Sequence, residues 1–386
     1  MDGMTNGWTP SAPNTWNGTF NGNPGYITNV DSSTLLQNPT NFHYMIEIPP
    51  DDEDPSSPTG QARYYNQAQM VLIVTNAVSG GLNPTVKLKL QNSFNGQVPG
   101  TDPSPVIFYF SDASPGLLSS NFPFLSLTNR FYDQREYKTN LITQINMTNF
   151  ARWVQTSAAV QGKLPTFAGI YPTTLYVADC RTGNAKQLSS VRLVNGAQLP
   201  DNSGWGFTVA TPNPLYVQGN YNVQTAGSGV NASAGTTDTT YTVPAALISD
   251  SLTLLSSHWS DAGSFSWTYA AGNANYSATE GTTVNAAIIT GTMPSTGTSG
   301  TTFSGGVHNL PRLLEDWTGK NLWLNTSIIR LWSSQMATNQ FRNPAGFNPP
   351  PVDPYYNPPS RHFSFDPNLT NPYKIPPGIP LFGVPQ

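Results

Sequence analysis

The feature that most constrains the fold is a run of short apolar segments that recurs from about residue 173 onward. Between the segments lie polar stretches of very different length, such as 224–240 and 292–304. A sandwich built from regular hairpins does not fit such unequal spacing. Stacked parallel strands do fit, because loops inserted between the strands leave the core stack undisturbed. The predicted strands are Leu175–Ala178, Val191–Val194, Phe207–Ala210, Leu215–Gln218, Ala245–Leu255, Val284–Thr290 and Leu322–Leu331.

This pattern predicts a mainly β chain in which residues 171–335 form a parallel β-solenoid, or β-helix. In such a stack each inward-facing residue meets its equivalents above and below, which suits small and branched apolar side chains. The segments 246–248 and 286–288 have that character. Right-handed winding follows from the general rule for parallel crossovers. A short flanking helix is predicted at 309–318, where a capping Asn precedes an apolar stripe and Gly319 follows.

Residues 61–170 are predicted to form a small α+β module before the solenoid. Met70–Thr75 reads as a short buried strand, and the alternating Thr85–Leu90 follows it across a Gly-Gly turn, which indicates a hairpin. Val106–Phe110 is a further strand candidate. The stretch Thr148–Gln155 has an apolar face at helical spacing and is predicted to be helical.

Two arms rich in Pro flank these regions, at 1–60 and 336–386, and both are predicted to be extended. Only Tyr44–Ile48 resembles a strand in the first arm. The second arm is too dense in Pro to form helix or sheet, and it is expected to lie along the domain in polyproline-like conformation. It is also rich in aromatic residues, which makes it a candidate assembly tail. These residues are Tyr355, Tyr356, Phe363, Phe365 and Tyr373.

The composition excludes several classes of partner. Charged residues make up 10% of the chain and the net charge is −4, so there is no basic footprint for nucleic acid. No apolar run is long enough to span a membrane. Cys180 is the single cysteine, which excludes an internal disulfide framework and a Cys-based zinc site. A neutral polar surface suits an extracellular location. Residues 1–10 lack an export signal, so we expect export information to lie outside this chain.

Asp133, Arg135 and Glu136 place three charges together in this charge-poor chain. We expect an Arg–carboxylate pair here that fixes the join between the α+β module and the solenoid.

The candidates for catalytic carboxylates are Asp250, Asp261, Glu315 and Asp316, because polysaccharide hydrolysis needs two carboxyl groups at the reacting bond. Glu315 and Asp316 are adjacent and point about 100° apart on a helix, which is poor geometry for such a pair. Solvent contact or pairing with Arg312 is their expected role. The four histidines lack metal-ligand spacing, and no nucleotide-binding or nucleophile motif is present. We therefore expect no enzymatic activity, no metal and no cofactor.

Aromatic residues within the polar insertion 256–283 are candidates for sugar stacking or for self-association. These residues are Trp259, Trp267, Tyr269 and Tyr276.

Several long stretches resemble a bacterial protein family. They are 207–222 (FTVATPNPLYVQGNYN), 244–256 (PAALISDSLTLLS), 283–287, 304–317 and 356–361. In order along the chain, they are similar to the C-terminal region of PilX-like proteins, whose N terminus is prepilin-like. The resemblance covers roughly residues 60–380 and implies association with pilus-like or secretion assemblies at the cell surface. It carries no catalytic residues, and residues 1–10 do not contain an apolar prepilin helix.

Together these observations predict a non-enzymatic structural or adhesive protein, located outside the cell or on its surface. We expect a homo-oligomer or filament that assembles through the solenoid ends or the terminal arms. The alternatives are a carbohydrate-binding module and a β-helix enzyme that acts on polysaccharides.

Overall fold

The computed structural model describes residues 15–20, 23–28, 42–91, 105–163, 172–200, 204–224, 232–265, 281–293, 310–339, 341 and 355–379. Within these residues the protein is mainly β, with a hairpin of β1 (Thr15–Phe20) and β2 (Asn23–Thr28) and one mixed sheet of 16 strands. The strands of the large sheet are β3 (Met70–Thr75), β4 (Thr85–Leu90), β5 (Val106–Phe110), β6 (Leu125–Ser126), β7 (Arg130–Asp133), β8 (Lys138–Asn146), β9 (Thr174–Asp179), β10 (Gln187–Gln198), β11 (Phe207–Gln224), β12 (Ala245–Leu255), β13 (Thr282–Asn285), β14 (Ala287–Thr292), β15 (Arg312–Leu313), β16 (Asn321–Asn325), β17 (Ile328–Ser333) and β18 (Ser360–Ser364). The helices are α1 (Pro58–Ala62), α2 (Tyr64–Gln67), α3 (Pro115–Asn121), α4 (Met147–Thr156), α5 (Ala158–Lys163) and α6 (Asp261–Ser264), with 3-10 turns at His43–Ile46, Pro367–Thr370 and Pro372–Lys374.

Most of the sheet consists of parallel strands laid side by side in three stacks. The first stack is β3, β9, the first part of β11, the first part of β12, β14 and β17. The second stack is β8, β10, the middle of β11, the second part of β12 and β15. The third stack is the end of β10, the end of β11, β13, β16 and β18. From β9 to β17 the chain passes through the first, second and third stacks in that order and then begins again, and after β17 the next described strand is β18 in the third stack.

β11 shows this path within one element. Its residues 207–211 pair in the first stack, 214–218 pair in the second, and Tyr221 pairs in the third. Gly219 lies at the bend before the third stack with a φ of 77°, a left-handed conformation that favours glycine. The register is parallel throughout, with Leu215 opposite Leu252 and Leu247 opposite Ile288.

Antiparallel strands close one end of the first two stacks. β4 pairs with the outer edge of β3, and β5 pairs with β4. β6 and β7 pair with the outer edge of β8 in the same way. The predicted α+β module of 61–170 therefore supplies the first strands of both stacks and shares one sheet with the rest of the chain.

The first stack is buried on both faces, as is usual for parallel sheets. In β12, for example, Leu247 belongs to the large core enclosed by the three stacks, and Ile248 belongs to a second cluster on the outer face. The 3-10 turn at His43–Ile46 and helix α2 cover that outer face through Ile46 and Tyr64. Residues that point into the large core and residues that point to the outer face are therefore both apolar. This explains why the strands of the first stack appear in the sequence as continuous apolar runs.

Several local predictions are confirmed. The hairpin of β3 and β4, the strand β5 and the helix α4 all lie where the apolar periodicity places them. The N-cap of α4 is Asn146, whose side chain accepts a hydrogen bond from the amide of Asn149.

Other local predictions are wrong. Tyr44–Ile48 does not form a strand, since His43–Ile46 is a 3-10 turn, and the strands of the first arm are β1 and β2 instead. The described part of 309–318 is not helical: Arg312–Leu313 is the strand β15, which extends the second stack. The second arm was expected to form no sheet, yet β18 within it pairs with β16. β18 contains no Pro, so the Pro-dense composition around it concealed a strand.

Replacing Ile288 with Asp should unfold the protein. The Ile288 side chain is 1% exposed inside the first stack, and a lone buried carboxylate costs several kcal/mol. Ile329→Asp is the matched control, because Ile329 lies on the neighbouring strand and is 39% exposed. Thermal melts followed by circular dichroism should show no folded I288D and near-normal I329D. Equal losses in the two variants would contradict the assigned burial.

Candidate functional site

The chain concentrates buried charges where distant segments meet, and Asp250 is the central group. Asp250 is fully buried at the corner between the first and second stacks. Its carboxylate accepts hydrogen bonds from the amides of Gln335, Met336 and Ala337 at 2.5, 3.2 and 3.1 Å. Residues 334–339, which we call the crossing segment, leave β17 and are fastened across this corner.

A second buried carboxylate holds the other end of the crossing segment. Glu136 lies between β7 and β8, and its Oε1 is 2.9 Å from Nη1 of Arg312. Its Oε2 accepts a hydrogen bond from the amide of Asn339 at 3.0 Å, while Arg312 donates to the Ala337 carbonyl at 2.8 Å. Burial raises the pKa of the Glu136 carboxyl, and the Arg312 guanidinium opposes that rise.

Asp133 and Arg135 lie beside this pair. Tyr216 donates its hydroxyl to Asp133 Oδ2 at 2.6 Å, which joins β7 to the middle of β11. Arg135 Nε is 3.8 Å from Glu136 Oε1, and its guanidinium also donates to the Asn339 carbonyl. The structure thus brings Asp133, Arg135 and Glu136 together between the antiparallel strands and the stacks. The close charge partner of Glu136 is Arg312, 176 residues away.

His43 is a further titratable group at this corner. Its Nε2 is 3.2 Å from Asp250 Oδ1, and its Nδ1 is 2.6 Å from Glu47 Oε1. The ring is 2% exposed and meets Trp332 edge-on. The segment around His43 belongs to the first arm, so the arm, the crossing segment and β12 meet at one carboxylate.

A row of polar side chains runs along the third stack. Asn222, Asn285, Asn325 and Ser364 lie at or near the ends of β11, β13, β16 and β18 and are linked by hydrogen bonds. Asn285 Nδ2 donates to the Asn222 carbonyl at 2.9 Å, and Asn325 Nδ2 donates to Asn285 Oδ1 at 2.7 Å. Sequence reasoning missed this ladder, although each of its Asn residues directly follows one buried apolar residue, namely Tyr221, Val284 or Leu324.

The four carboxylates considered for catalysis have separate structural partners. Asp250 is held as described above. Asp261 accepts from Arg192 at 2.5 and 2.8 Å. Asp316 accepts from Thr318 and Asn357. The expectation that Glu315 contacts solvent or Arg312 is wrong, because Glu315 is 2% exposed and its carboxyl accepts from the Ser256 amide and hydroxyl, both at 2.6 Å. Burial raises the pKa of Glu315 to about 7.

The aromatic candidates divide between interior and surface. Trp259 is 7% exposed, its Nε1 donates to Asp261, and its ring packs edge-on against Phe131, so it does not present a face for sugar stacking. Trp267, Tyr269 and Tyr276 lie outside the described residues.

Most aromatic residues of the predicted assembly tail are buried or half-buried against the rest of the chain. Tyr355 and Tyr356 are each 2% exposed and belong to the large core. Phe363 and Phe365 are half-buried. Tyr373 is 93% exposed and is the one member of the set that the structure leaves on the surface.

An aromatic pair that sequence reasoning missed lies on the outer side of the third stack. Trp323 of β16 and His362 of β18 occupy paired positions and stack with ring centroids 4.0 Å apart and planes 12° apart. His362 Nε2 is 3.1 Å from Asn321 Oδ1. Trp323 and His362 are each the third residue of their strand. The sequence does not show that they are paired, because the register of the two strands has to be known first.

Among the described residues, no cluster of three or more His, Cys, Asp or Glu side chains is arranged to hold a metal ion. No helix within these ranges is long and apolar enough to cross a membrane. Burial, and then the charge of Asp179, raise the pKa of the Cys180 thiol, which does not favour the reactive thiolate.

Comparison of the chain with models of protein families, with curated proteins and with solved structures gives no match.

Replacing Glu315 with Gln should remove a pH dependence of stability. The folded pKa of about 7 lies above the ordinary value of 4.5, so the folded state binds the proton more tightly and stability falls as pH rises between these values. Gln stays neutral and keeps an oxygen that accepts from Ser256. Urea denaturation should show E315Q stabilised by about 2–3 kcal/mol near pH 8 and changed little near pH 5. The exposed Asp52→Asn serves as control, and a wild-type stability that rises over this window would contradict the assignment.

Replacing Asn285 with Ala should destabilise the third stack. The change leaves the Asn222 carbonyl and the Asn325 amide without their ladder partner, which costs about 2–3 kcal/mol. Asn321→Ala on the neighbouring strand removes an exposed amide and should cost less than about 0.5 kcal/mol. Chemical denaturation of both variants measures the difference, and similar values would argue against the ladder.

Proposed function

We propose that this protein is a non-enzymatic structural or adhesive component of an extracellular surface assembly, and that copies associate through an end of the stacked sheet. The proposal takes the three parallel stacks as one right-handed solenoid, whose chain returns to the first stack after each turn. The resemblance to PilX-like proteins supports a pilus-like or secreted assembly at the bacterial cell surface.

The observation that carries the proposal is that the buried carboxylates link segments of the chain to one another. Asp250, Glu136 and Glu315 each accept hydrogen bonds from backbone or side-chain donors that fasten one segment to another. A catalytic carboxylate has to meet a substrate, whereas these groups are enclosed by their own chain. This arrangement supports a rigid scaffold and gives no support to a polysaccharide-cleaving pair.

The two ends of the stacks differ, which supports association through one of them. Antiparallel strands cover β3 and β8 at one end. At the other end, no strand within the described residues pairs with the far edges of β17 and β18. An uncovered strand edge offers unpaired amides and carbonyls to a second chain. We therefore assign the self-association surface to β17, where Ile329 and Arg330 are exposed.

A carbohydrate-binding role is the second candidate, and the stacked Trp323–His362 pair favours it. Aromatic rings beside an exposed amide, here Asn321, provide stacking and hydrogen bonding for a sugar. Trp323 is half-buried and one ring face is taken by His362, so this role ranks below assembly.

Replacing Arg330 with Pro should weaken self-association. In a parallel pair, alternate residues of a strand bond to one neighbour. The amide of Ile288 bonds to the Ser327 carbonyl, which directs the backbone of residue 330 toward the open edge. Pro removes that outward N–H while the pairing with β14 remains. Light scattering across a concentration series should show association at least about tenfold weaker in R330P, with a near-normal melting temperature.

Arg330→Ala is the control, because it removes the side chain and keeps the N–H. A wild-type protein that stays monomeric at high concentration, or R330P that associates normally, would contradict the proposal. A glycan-array signal that is lost in Trp323→Ala, in a protein that remains monomeric, would establish the second candidate instead.

A further inference from the structure

The segment 42–47 of the first arm forms a cover over the outer face of the first stack. Ile46 is fully buried and packs in the outer cluster with Tyr176 and Ile248. The Tyr176 hydroxyl donates to the Ile46 carbonyl at 2.7 Å. We call residues 42–47 the cover segment. Its removal would expose an apolar sheet face, so the contacts that hold it decide whether that face meets solvent.

His43 fastens the cover segment through two carboxylates. Nε2 faces Asp250 of β12 at 3.2 Å, and Nδ1 faces Glu47 of the segment itself at 2.6 Å. Carboxylates accept hydrogen bonds and do not donate them, so this geometry needs an N–H on both ring nitrogens. Only the protonated imidazolium provides both. Neutral imidazole would turn a lone pair toward one of the two carboxylates.

The charged groups in contact with His43 are both negative. On β12 the group is Asp250, which also holds three amides of the crossing segment, and on the cover segment it is Glu47. β17 contributes the Trp332 ring to the contact and carries one charged residue, Arg330. β11 carries no charged residue.

On the α2 side, the positively charged residue beside the cover segment is Arg63, and it has partners other than His43. Arg63, at the start of α2, donates to the Tyr44 carbonyl and is paired with Glu53. The other titratable groups of this helix are the phenols Tyr64 and Tyr65.

We propose that His43 is a pH-sensitive clamp, which closes the cover segment over the first stack when protonated and releases it when the proton is lost. Release exposes the outer apolar cluster around Tyr176, Ile248 and Trp332. The device is distinct from the association surface assigned to β17, since it acts on the sheet face and not on its edge.

The direction of the pH effect follows from the pKa of His43. Burial lowers this pKa, but the hydrogen bonds to Asp250 and Glu47 and their negative charges outweigh burial, and the pKa lies above its ordinary value of 6.5. The clamp therefore contributes its full stabilisation below the unfolded pKa and loses it as pH rises through the folded pKa. The cover segment opens on the alkaline side.

The test combines an NMR titration of the histidines with amide hydrogen exchange on the full chain. His43 should titrate above 6.5. The protection factors of the Met45 and Glu47 amides, corrected for the intrinsic rate, should fall at least about tenfold as pH passes through the His43 pKa. Protection of the β12 amides should follow the global free energy of unfolding instead.

Three variants make the test specific. His43→Gln should give low protection of the cover segment at every pH, whereas His362→Gln, at a stacked surface histidine, should behave as wild type. Glu47→Gln removes a partner that is 41% exposed, so the fold should persist and the transition should move to lower pH. A wild-type cover segment whose protection is independent of pH, or a midpoint that Glu47→Gln leaves unmoved, would overturn the proposal.

Discussion

The neutralisation of buried charge is the constraint on which the rest of this structure depends. A carboxylate such as that of Asp250 is stable in the interior only when donors surround it, and here the donors come from segments far apart in the chain. Glu136 imposes the same requirement on Arg312 and the crossing segment. The parallel stacks provide the apolar interior, and these few charges determine which segments lie against it.

The proposed scaffold role and the proposed pH response follow from the same arrangement. Groups that cross-link a fold from within are unavailable to a substrate, yet their protonation state remains coupled to stability. His43 and Glu315 both have pKa values above their ordinary values, so each favours the folded state at mildly acidic rather than alkaline pH. A protein with this property is most stable in mildly acidic surroundings.

Strongly periodic local elements were predictable from the sequence, and long-range partners were not. The hairpin of β3 and β4 and the helix α4 have apolar patterns that specify their structure locally. The stretch 309–318 was misread because its apolar spacing suits a helix as well as a stacked strand. The deciding partner of Arg312 lies 176 residues earlier. For the site, the unusual charges at 133–136 could be found, but their partners and the role of His43 could not.

The ladder and the long-range ties have opposite effects on how the protein comes apart. Strands that bond only to their immediate neighbours in a stack can separate one turn at a time from an uncovered end. Here His43 reaches Asp250 across 207 residues, and Glu136 reaches Arg312 across 176, so early and late turns are tied together. Fraying at β17 would therefore disturb the crossing segment and, through it, the first arm. Because of this coupling, we expect the stacked turns to unfold together as one cooperative unit and not one turn at a time.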